Sequence, residues 1–404
     1  MNLVVQRLGH LGDGIADGPV FVPLSLPGEA VEGDVIDGRL AAPRIVTPSP
    51  DRVKPPCAHF KSCGGCALQH ASDGFVEAWK AQVVRNALAA HGLDAPIRGV
   101  ATSPPKSRRR ATLSGRRTKR GALVGFHARA SGAIIDIPGC QLLHPDIIAL
   151  IPALRRLTEI GASRKGEIAI AVTLTEGGAD VAVTGAKPLD GRLRQELSLF
   201  VRETALARLS WDGEVEVQQC PPTQSIDGIQ VTPPAGAFLQ ATKAGEAALI
   251  ASVGKATAGA RRIADLFAGC GTFALPLARG AQIHAVESDA EMLTSLDTAW
   301  RKAAGLQKIT TEPRDLFRRP LLAGDLRGFD AVVIDPPRAG AEAQTREIAA
   351  SGVQTVAMVS CNPVTFARDA RILADAGYAL AWVDVIDQFR WSPHVELASQ
   401  FVRN

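Results

Sequence analysis

The feature that most constrains the fold is a regular alternation of apolar strand-like runs and helical stretches from about residue 236 to the C-terminus. The predicted strands are residues 262–267, 283–287, 330–334 and 355–359, and the clearest helical stretches are residues 272–278 and 289–304. Because strands that alternate with helices pair in parallel through helical crossovers, this pattern predicts an open parallel sheet with helices on both faces. The predicted fold class of residues 236–404 is therefore α/β and Rossmann-like.

The first 53 residues follow a different pattern. Short apolar runs at residues 3–5, 20–22, 30–31 and 35–36 alternate with Gly, Pro and Asp, which indicates a small all-β unit of short strands and tight turns. Five prolines between positions 43 and 56 then predict a linker.

Residues 54–235 form a predicted central α+β region. Apolar residues at positions 75, 79, 83 and 87 predict an amphipathic helix over about residues 74–91 with a core-facing stripe, and we expect this helix to pack on the C-terminal domain. Strand-like runs follow at residues 122–126, 133–137, 167–173 and 179–184. The chain is thus predicted to divide into residues 1–53, 54–235 and 236–404.

Length and composition agree with a protein of several domains. A chain of 404 residues with 46% hydrophobic and 21% charged residues is long enough for two or three domains, each with a core. The N-terminus has no signal-peptide pattern, and no run approaches the roughly 18 apolar residues of a membrane span. We therefore expect a cytoplasmic protein without membrane attachment, and nothing in the sequence indicates an obligate protein partner.

Positive charge is concentrated in one short stretch. The net charge is only +4, but eight Lys or Arg and no acid lie between Lys106 and Arg120. Such a run is most often a solvated surface, and it becomes a candidate RNA contact where other features also indicate RNA.

A candidate nucleotide site lies at residues 265–273, Asp-Leu-Phe-Ala-Gly-Cys-Gly-Thr-Phe, between a predicted strand and a predicted helix. Gly269 and Gly271 allow a sharp turn and close approach of a ligand at the end of the first strand. Glu287 ends the next strand about twenty residues later, where an acid accepts hydrogen bonds from ribose hydroxyls, and Asp315 follows the third strand. NAD-binding proteins share this layout, but the third glycine of their motif is missing, so S-adenosylmethionine (SAM) is favoured.

Cys361 is a candidate nucleophile. It lies in Ser-Cys-Asn-Pro at the end of a predicted strand, on the same edge of the sheet as Gly269 and as Asp335 of Asp-Pro-Pro-Arg. A buried cysteine is usually a small hydrophobic residue, but the following Pro363 opens a helix, and a helix N-terminus favours a thiolate. In amino-group methyltransferases an aromatic residue follows Asp-Pro-Pro and stacks on the base. Arg338 occupies that position here, so methylation of an amino group is disfavoured.

Four of the seven cysteines have the arrangement of metal ligands. Cys57, Cys63 and Cys66 have the spacing C-x5-C-x2-C on a loop with two glycines, and Cys140 supplies a fourth thiol. In a chain without secretion signals such cysteines indicate a metal site more than disulfides. Tetrahedral zinc and an iron–sulfur cluster both use four thiolates, and spacing alone slightly favours zinc.

Together these motifs resemble those of the bacterial RNA uracil-5 methyltransferases, in particular the 23S rRNA enzymes of the RlmD (RumA) type. The resemblance runs nearly end to end. Residues 9–16, Gly-His-Leu-Gly-Asp-Gly-Ile-Ala, and residues 21–29 resemble the TRAM domain, an OB-like β-barrel that contacts RNA. Phe-Leu-Gln at 238–240, Ser-Cys-Asn-Pro at 360–363 and His-Val-Glu at 394–396 match motifs of the SAM-dependent catalytic domain.

The resemblance implies a role for each candidate residue. The implied SAM contacts are Gln240, Phe267, Thr272, Glu287, Asp315 and Asp335, and the implied ligands of a [4Fe–4S] cluster are Cys57, Cys63, Cys66 and Cys140. Cys361 would add to carbon 6 of uracil, and Glu396 would remove the carbon-5 proton after methyl transfer.

The implied substrate is one uridine of 23S rRNA, flipped out of its stack or single-stranded so that it reaches Cys361. Methylation of a tRNA uridine is the main alternative, although enzymes of that kind typically lack the cluster and the barrel. A zinc-containing RNA-binding protein without enzymatic activity is the alternative from another class.

Overall fold

A computed structural model describes residues 2–204 and 206–403. The N-terminal strands are β1 (Asn2–Leu8), β2 (Gly14–Ala16), β3 (Val20–Val22), β4 (Ala30–Glu32) and β5 (Arg44–Thr47). They form an antiparallel sheet in the order β3-β2-β1-β4-β5 around a small core that includes Val5, Val22 and Val31. Two predictions are wrong here. Residues 35–36 form no strand, since Ile36 makes only an isolated bridge to Arg39, and β5 lies inside the predicted linker.

The middle of the chain is an α+β region. Its elements are α1 (Asp73–Ala89), β6 (Ile97–Thr102), β7 (Arg110–Thr118), β8 (Gly121–His127), β9 (Ile134–Asp136), α2 (Pro145–Gly161), β10 (Glu167–Thr175), β11 (Gly178–Thr184), α3 (Gly191–Arg202), β12 (Leu206–Trp211), β13 (Glu214–Gln218), β14 (Gln224–Ile226) and β15 (Ile229–Val231). Seven strands pair in the order β13-β12-β11-β10-β7-β8-β9, and α2 and α3 pack on this sheet. The strand-like runs predicted between residues 122 and 184 all correspond to strands of this sheet.

The C-terminal part alternates strands and helices as predicted. Its elements are α4 (Lys243–Ala256), β16 (Arg262–Leu266), α5 (Ala274–Leu277), β17 (Gln282–Glu287), α6 (Ala290–Lys302), β18 (Ile309–Pro313), β19 (Ala331–Ile334), α7 (Glu342–Ser351), β20 (Thr355–Ser360), α8 (Pro363–Asp375), β21 (Tyr378–Asp387) and β22 (Glu396–Arg403). The predicted helix start at 272–278 is only the single turn of α5.

This sheet has the order β18-β17-β16-β19-β20-β22-β21-β6. Its strands pair in parallel except β22, which is antiparallel to both of its neighbours, so the expectation of a wholly parallel sheet is wrong at this strand. Separate apolar clusters cover the two faces: Leu266 belongs to one and Ile263 of the same strand to the other. Helices therefore bury both faces of the sheet, which is why its strands are almost uniformly apolar.

A segment from the middle of the chain completes the C-terminal sheet. β6 pairs in parallel with β21, and α1 packs against α8. The helix packing was expected, but the extra strand was not. The buried side of α1 includes Val76, Lys80, Val84 and Leu88. Each of these residues follows a member of the predicted stripe at positions 75, 79, 83 and 87, and the stripe residues themselves are only partly buried. Lys80 is tolerated there because it donates to Asp387 at 2.6 Å.

Candidate active site

The carboxyl ends of the parallel strands form one edge of the eight-stranded sheet, here called the rim. Asp335 directly follows β19 and Cys361 directly follows β20, and the pairing of Ile334 with Met358 brings these two ends side by side. β22 runs in the opposite direction, so its first residue, Glu396, lies at the same edge. The reversed strand thus places a carboxylate from near the C-terminus beside the cysteine.

The neighbouring carboxylates and burial both act on the Cys361 thiol. Burial, followed by the charges of Glu396 and Asp335, raises the pKa of the Cys361 thiol to about 11, and the Arg338 guanidinium partly opposes this rise. Pro363 opens a helix as predicted, but the position of Cys361 relative to that helix limits what the helix N-terminus can do for the thiol. α8 begins at Pro363, and Asn362 caps it by accepting from the Val364 amide at 3.1 Å, so Cys361 lies outside the first turn.

The rim carboxylates also hold protons more tightly than usual. Burial raises the pKa of Glu396 to about 7, against the opposing effect of a hydrogen bond from Gln388. Burial and then the Glu396 and Asp265 charges raise the pKa of Asp335 well above its ordinary value. Asp265, in β16, is fully buried, and within residues 2–204 and 206–403 neither of its oxygens accepts a well-formed hydrogen bond. Burial raises its pKa to about 7, against the opposing effect of the nearby Ala274 amide. A rim rich in carboxylates favours a ligand that brings positive charge.

Gln240 is connected to Glu396 through a residue that sequence reasoning missed. The side-chain amide of Gln388 donates to Gln240 Oε1 at 2.6 Å and to Glu396 Oε2 at 2.8 Å. All three side chains are buried. A glutamine in the loop after β21 carries no periodicity or motif, so the sequence held no signal for it.

The turn between β16 and α5 forms a cradle at the rim. Phe267, Gly269 and Gly271 have φ values of 62°, 54° and 91°, which lie in the left-handed region. A Cβ on Gly271 would lie 2.9 Å from Leu296 Cγ, so this position has no room for a side chain. The Gly269 amide donates to Glu287 Oε2 at 3.1 Å, which fixes the turn against the end of β17.

The remaining predicted contacts lie around this turn. Glu287 Oε1 accepts from the amides of Ser288 and Asp289 at 2.6 and 3.1 Å. Asp315 Oδ1 accepts from the Phe317 amide at 3.0 Å, and the Phe317 ring lies 5.4 Å from the Phe267 ring, centroid to centroid. Thr272 is half-buried in the turn before α5. These contacts place Glu287 and the Phe267–Phe317 pair around the glycine turn, and Asp315 holds the backbone that carries Phe317.

The four predicted metal-ligating cysteines line one small cavity, here called the cysteine pocket: Cys57, Cys63, Cys66 and Cys140. Burial, with the neighbouring thiols adding to it, raises the pKa of Cys66 to about 12. A Cβ on Gly64 would lie 2.8 Å from the His127 carbonyl oxygen, so the loop fits closely against β8. Within residues 2–204 and 206–403, however, no group of three or more His, Cys, Asp or Glu is arranged to hold a metal ion. The structure therefore shows a shared thiol pocket and does not show an iron–sulfur domain.

Comparisons with known proteins find relatives along nearly the whole chain. A family model described as tRNA (uracil-5-)-methyltransferase matches residues 232–403. A protein of Rhizobium meliloti described as an uncharacterised RNA methyltransferase is 44% identical over 98% of this chain and 97% of its own length. The 23S rRNA (uracil(1939)-C(5))-methyltransferase RlmD of Shewanella piezotolerans is 31% identical over 99% of this chain and 95% of its own.

The chain belongs to the RNA uracil-5 methyltransferase family. It is a SAM-dependent enzyme that acts on RNA. A solved structure, the Pyrococcus abyssi tRNA (uracil-54, C5)-methyltransferase in complex with S-adenosyl-L-homocysteine, has the same fold, with a TM-score of 0.78 and 22% identity over 100% of this chain and 99% of the other.

The basic stretch of this methyltransferase is not a uniform surface. Arg109 is only 3% exposed and donates to Glu246 Oε2 of α4 at 2.6 Å and to the Gln240 carbonyl at 3.1 Å. It therefore holds the middle region against α4 and cannot contact RNA phosphates as the charge run suggested. Lys119 and Arg120, at the turn between β7 and β8, are exposed and remain available for RNA. Within the described parts of the chain, no helix is long and apolar enough to cross a membrane.

Proposed function

We propose that this enzyme methylates carbon 5 of a specific uridine in 23S rRNA, with Cys361 as nucleophile and Glu396 as general base. The observation that carries the proposal is the meeting of the Cys361 thiol with the Asp335 and Glu396 carboxylates at one rim. The similarity to an RlmD enzyme along nearly the whole of both chains supports rRNA as the substrate.

The residues of the rim fit SAM. Gly269 and Gly271 leave the backbone of the turn uncovered by side chains of their own, so a ligand can approach it closely. The Asp265 carboxyl, buried near the end of β16 without a well-formed hydrogen bond among the described residues, favours a positively charged neighbour. The proposed contacts are Gln240, Phe267, Thr272, Glu287, Asp315 and Asp335. Bound SAM supplies an electrophilic methyl group on a positively charged sulfur. A positive charge at the rim also offsets the two carboxylate charges that raise the pKa of Cys361.

Methylation at carbon 5 requires covalent catalysis because carbon 5 of uracil is a weak nucleophile. The Cys361 thiolate adds an electron pair to carbon 6, and the carbon 5–carbon 6 π electrons shift to make carbon 5 nucleophilic. Carbon 5 then takes the methyl group, and the electron pair of the broken carbon–sulfur bond stays on the cofactor sulfur. Glu396 removes the carbon-5 proton, the double bond re-forms, and the carbon 6–sulfur bond breaks to return the thiolate of Cys361.

The raised pKa of Glu396 suits this role. A base whose pKa is about 7 is ionised in a large fraction of molecules at neutral pH and is still a stronger base than an ordinary glutamate. Glu396 is also only 4% exposed, which keeps water from competing for the proton-transfer position.

Outside the rim we propose that the cysteine pocket holds a [4Fe–4S] cluster and that residues 1–53 form a TRAM-like barrel that contacts RNA. The four thiols are not arranged as a metal site among the described residues, but two observations support the proposal: they line one cavity, and Arg108 and Arg129 lie near them, which favours an anionic group. Four thiolates would fill the ligand positions of such a cluster and leave no open site for substrate.

The proposed division remains 1–53, 54–235 and 236–404, with α1 and β6 attached to the catalytic sheet.

Mapping of 5-methyluridine in rRNA and tRNA from cells with and without the gene tests the substrate. We expect one position of 23S rRNA to lose its methyl group and purified enzyme with SAM to restore it. Loss from tRNA instead would select the tRNA alternative. Unchanged 5-methyluridine in both RNAs, with no transfer in vitro, would contradict the proposed function.

A further inference from the structure

Both polar atoms of the Gln388 side chain, Oε1 and Nε2, make hydrogen bonds within the active site. Gln388 lies directly after β21 and is 1% exposed. Its Oε1 accepts from the Ala241 backbone amide at 2.8 Å, and its Nε2 donates to both Gln240 and Glu396. Because a backbone N–H can only donate, the orientation of the Gln388 amide is fixed, and its two N–H bonds go to the two neighbours.

This arrangement decides which atoms of the two neighbours remain available. The oxygen of the Gln240 amide is occupied, and its Nε2 makes no hydrogen bond with the described residues. Oε2 of Glu396 is likewise occupied, while Oε1 makes no hydrogen bond within residues 2–204 and 206–403. Gln388 therefore presents a donor from Gln240 and a single free oxygen from Glu396.

The surroundings keep Gln388 in this position. A Cβ on Gly245 of α4 would lie 2.5 Å from Gln388 Cβ, so a glycine is needed for the loop to pack this closely. The preceding residue, Asp387, accepts from Lys80 of α1 at 2.6 Å in a fully buried ion pair. Breaking such a pair is costly because it leaves one buried charge alone, so the backbone at Gln388 is anchored.

We propose that Gln388 is a positioning residue that couples the cofactor side of the site to the base. It turns the Gln240 amide so that its NH2 group faces the cofactor, and it reserves Oε1 of Glu396 for the carbon-5 proton. Its hydrogen bond also favours the ionised form of Glu396 against the effect of burial. The inference rests on the proposed roles of Gln240 and Glu396.

Two substitutions test this inference by steady-state methylation of RNA from cells that lack the gene. Gln388→Leu removes both donated bonds, so we expect kcat to fall about 10-fold or more, KM for SAM to rise, and the midpoint of the pH–kcat profile to move upward. Gln388→Glu can still accept from Ala241 but has at most one proton to donate and adds a charge beside Glu396. Its pH midpoint should therefore move further upward than that of the leucine variant.

Gln344→Leu is the matched control. Gln344 is also 1% exposed and makes two hydrogen bonds, to the amide and the carbonyl of Leu321, but it lies on α7 outside the site. This variant should lose thermal stability and keep the pH midpoint and KM of the wild type. If wild-type enzyme is active and both Gln388 variants keep its pH midpoint and its kcat within about twofold, the positioning role is overturned. An inactive wild type would instead overturn the proposed function.

Discussion

The rim and the cysteine pocket both gather residues from distant parts of the sequence, but different structures hold them. At the rim, strand ends of one sheet place Asp335, Cys361 and Glu396, and the backbone pairing would persist without these side chains. The cysteine pocket is built from loops, since Cys57, Cys66 and Cys140 lie outside helices and strands. Substitutions at the rim should therefore change chemistry, and substitutions in the pocket should change structure first.

The two regions are nevertheless connected through Trp391. Its carbonyl accepts from the amides of Ala67 and Leu68 at 2.8 and 3.0 Å, directly after the last cysteine of the loop. Trp391 belongs to the same buried apolar cluster as Cys57 and Cys66. Trp391 also has a φ of 61°, a strained conformation that its surroundings must maintain. Because Trp391 lies between Gln388 and Glu396, the pocket supports the segment that carries the base.

The largest effect should come from Cys361→Ala. Loss of the nucleophile should reduce methyl transfer by about 10⁴-fold or more, while the melting temperature and SAM affinity stay close to those of the wild type. Cys220→Ala is the control, since Cys220 is a half-buried thiol of the middle region that donates to the Gly177 carbonyl at 3.0 Å. Transfer of tritiated methyl groups from SAM measures the difference. Substantial activity in Cys361→Ala would show that Cys361 is not the nucleophile.

Glu396→Gln should stop turnover at a later step. Methyl transfer precedes proton removal, so this variant should accumulate a covalent RNA adduct with ordinary uridine and release product about 10²- to 10⁴-fold more slowly. Removing the carboxylate charge should also lower the pKa of Cys361, so the Cys361 peptide should be alkylated faster at a given pH. Mass spectrometry follows both quantities, and full turnover by this variant would exclude Glu396 as the base.

The pH dependence of wild-type turnover follows from the same carboxylate. The base acts only when ionised, and the pKa of Glu396 is about 7 in the folded protein, so kcat should fall as the pH drops through 7. Single-turnover rates of product release between pH 5.5 and 8.5 measure this midpoint. A midpoint near the ordinary glutamate value of about 4.3 would show that the buried environment does not act on the base.

Cys63→Ser should have a smaller effect on activity and a larger effect on stability. Enzyme purified without oxygen should be brown with about four iron atoms per chain, and the variant should lose the colour and melt at lower temperature. Because the pocket supports Trp391 and not the reacting atoms, kcat should fall only about 10- to 100-fold. Stoichiometric zinc without iron in the wild type would contradict the cluster and revive the zinc alternative.

The smallest effect should come from the exposed end of the basic stretch. Replacing Lys119 and Arg120 with Gln should flatten the salt dependence of RNA binding by up to ~0.9 log units for each side chain that binds a phosphate, and it should leave SAM affinity unchanged. Arg192→Gln, on the exposed surface of α3, is the control. An unaltered salt slope would make this turn an ordinary solvated surface.

Residues that stand in a motif could be predicted from the sequence. Residues whose role depends on tertiary contacts with distant segments could not. Cys361 and Glu396 stand in recognisable motifs, and Cys361 follows a predicted strand, but β22, the reversed strand that brings Glu396 to the same rim, was not predicted. Arg109 looked like its neighbours in a charge run, because burial against Glu246 depends on tertiary contacts. The pairing of β6 with β21 joins segments nearly 300 residues apart in the 404-residue chain, and no local pattern encodes such pairing. Gln388 was missed for the same reason.

The central claim, that Cys361 attacks carbon 6 of a uridine, is tested most directly with RNA that contains 5-fluorouridine. Fluorine replaces the proton that Glu396 must remove, so the wild-type enzyme should add Cys361, transfer the methyl group and stop as a covalent complex. Mass spectrometry of the digested complex should find the modified nucleotide on the peptide that contains Cys361, and Cys361→Ala should form no complex. A covalent complex through another residue, or methylation of ordinary uridine RNA with no complex on the fluorinated RNA, would contradict the account.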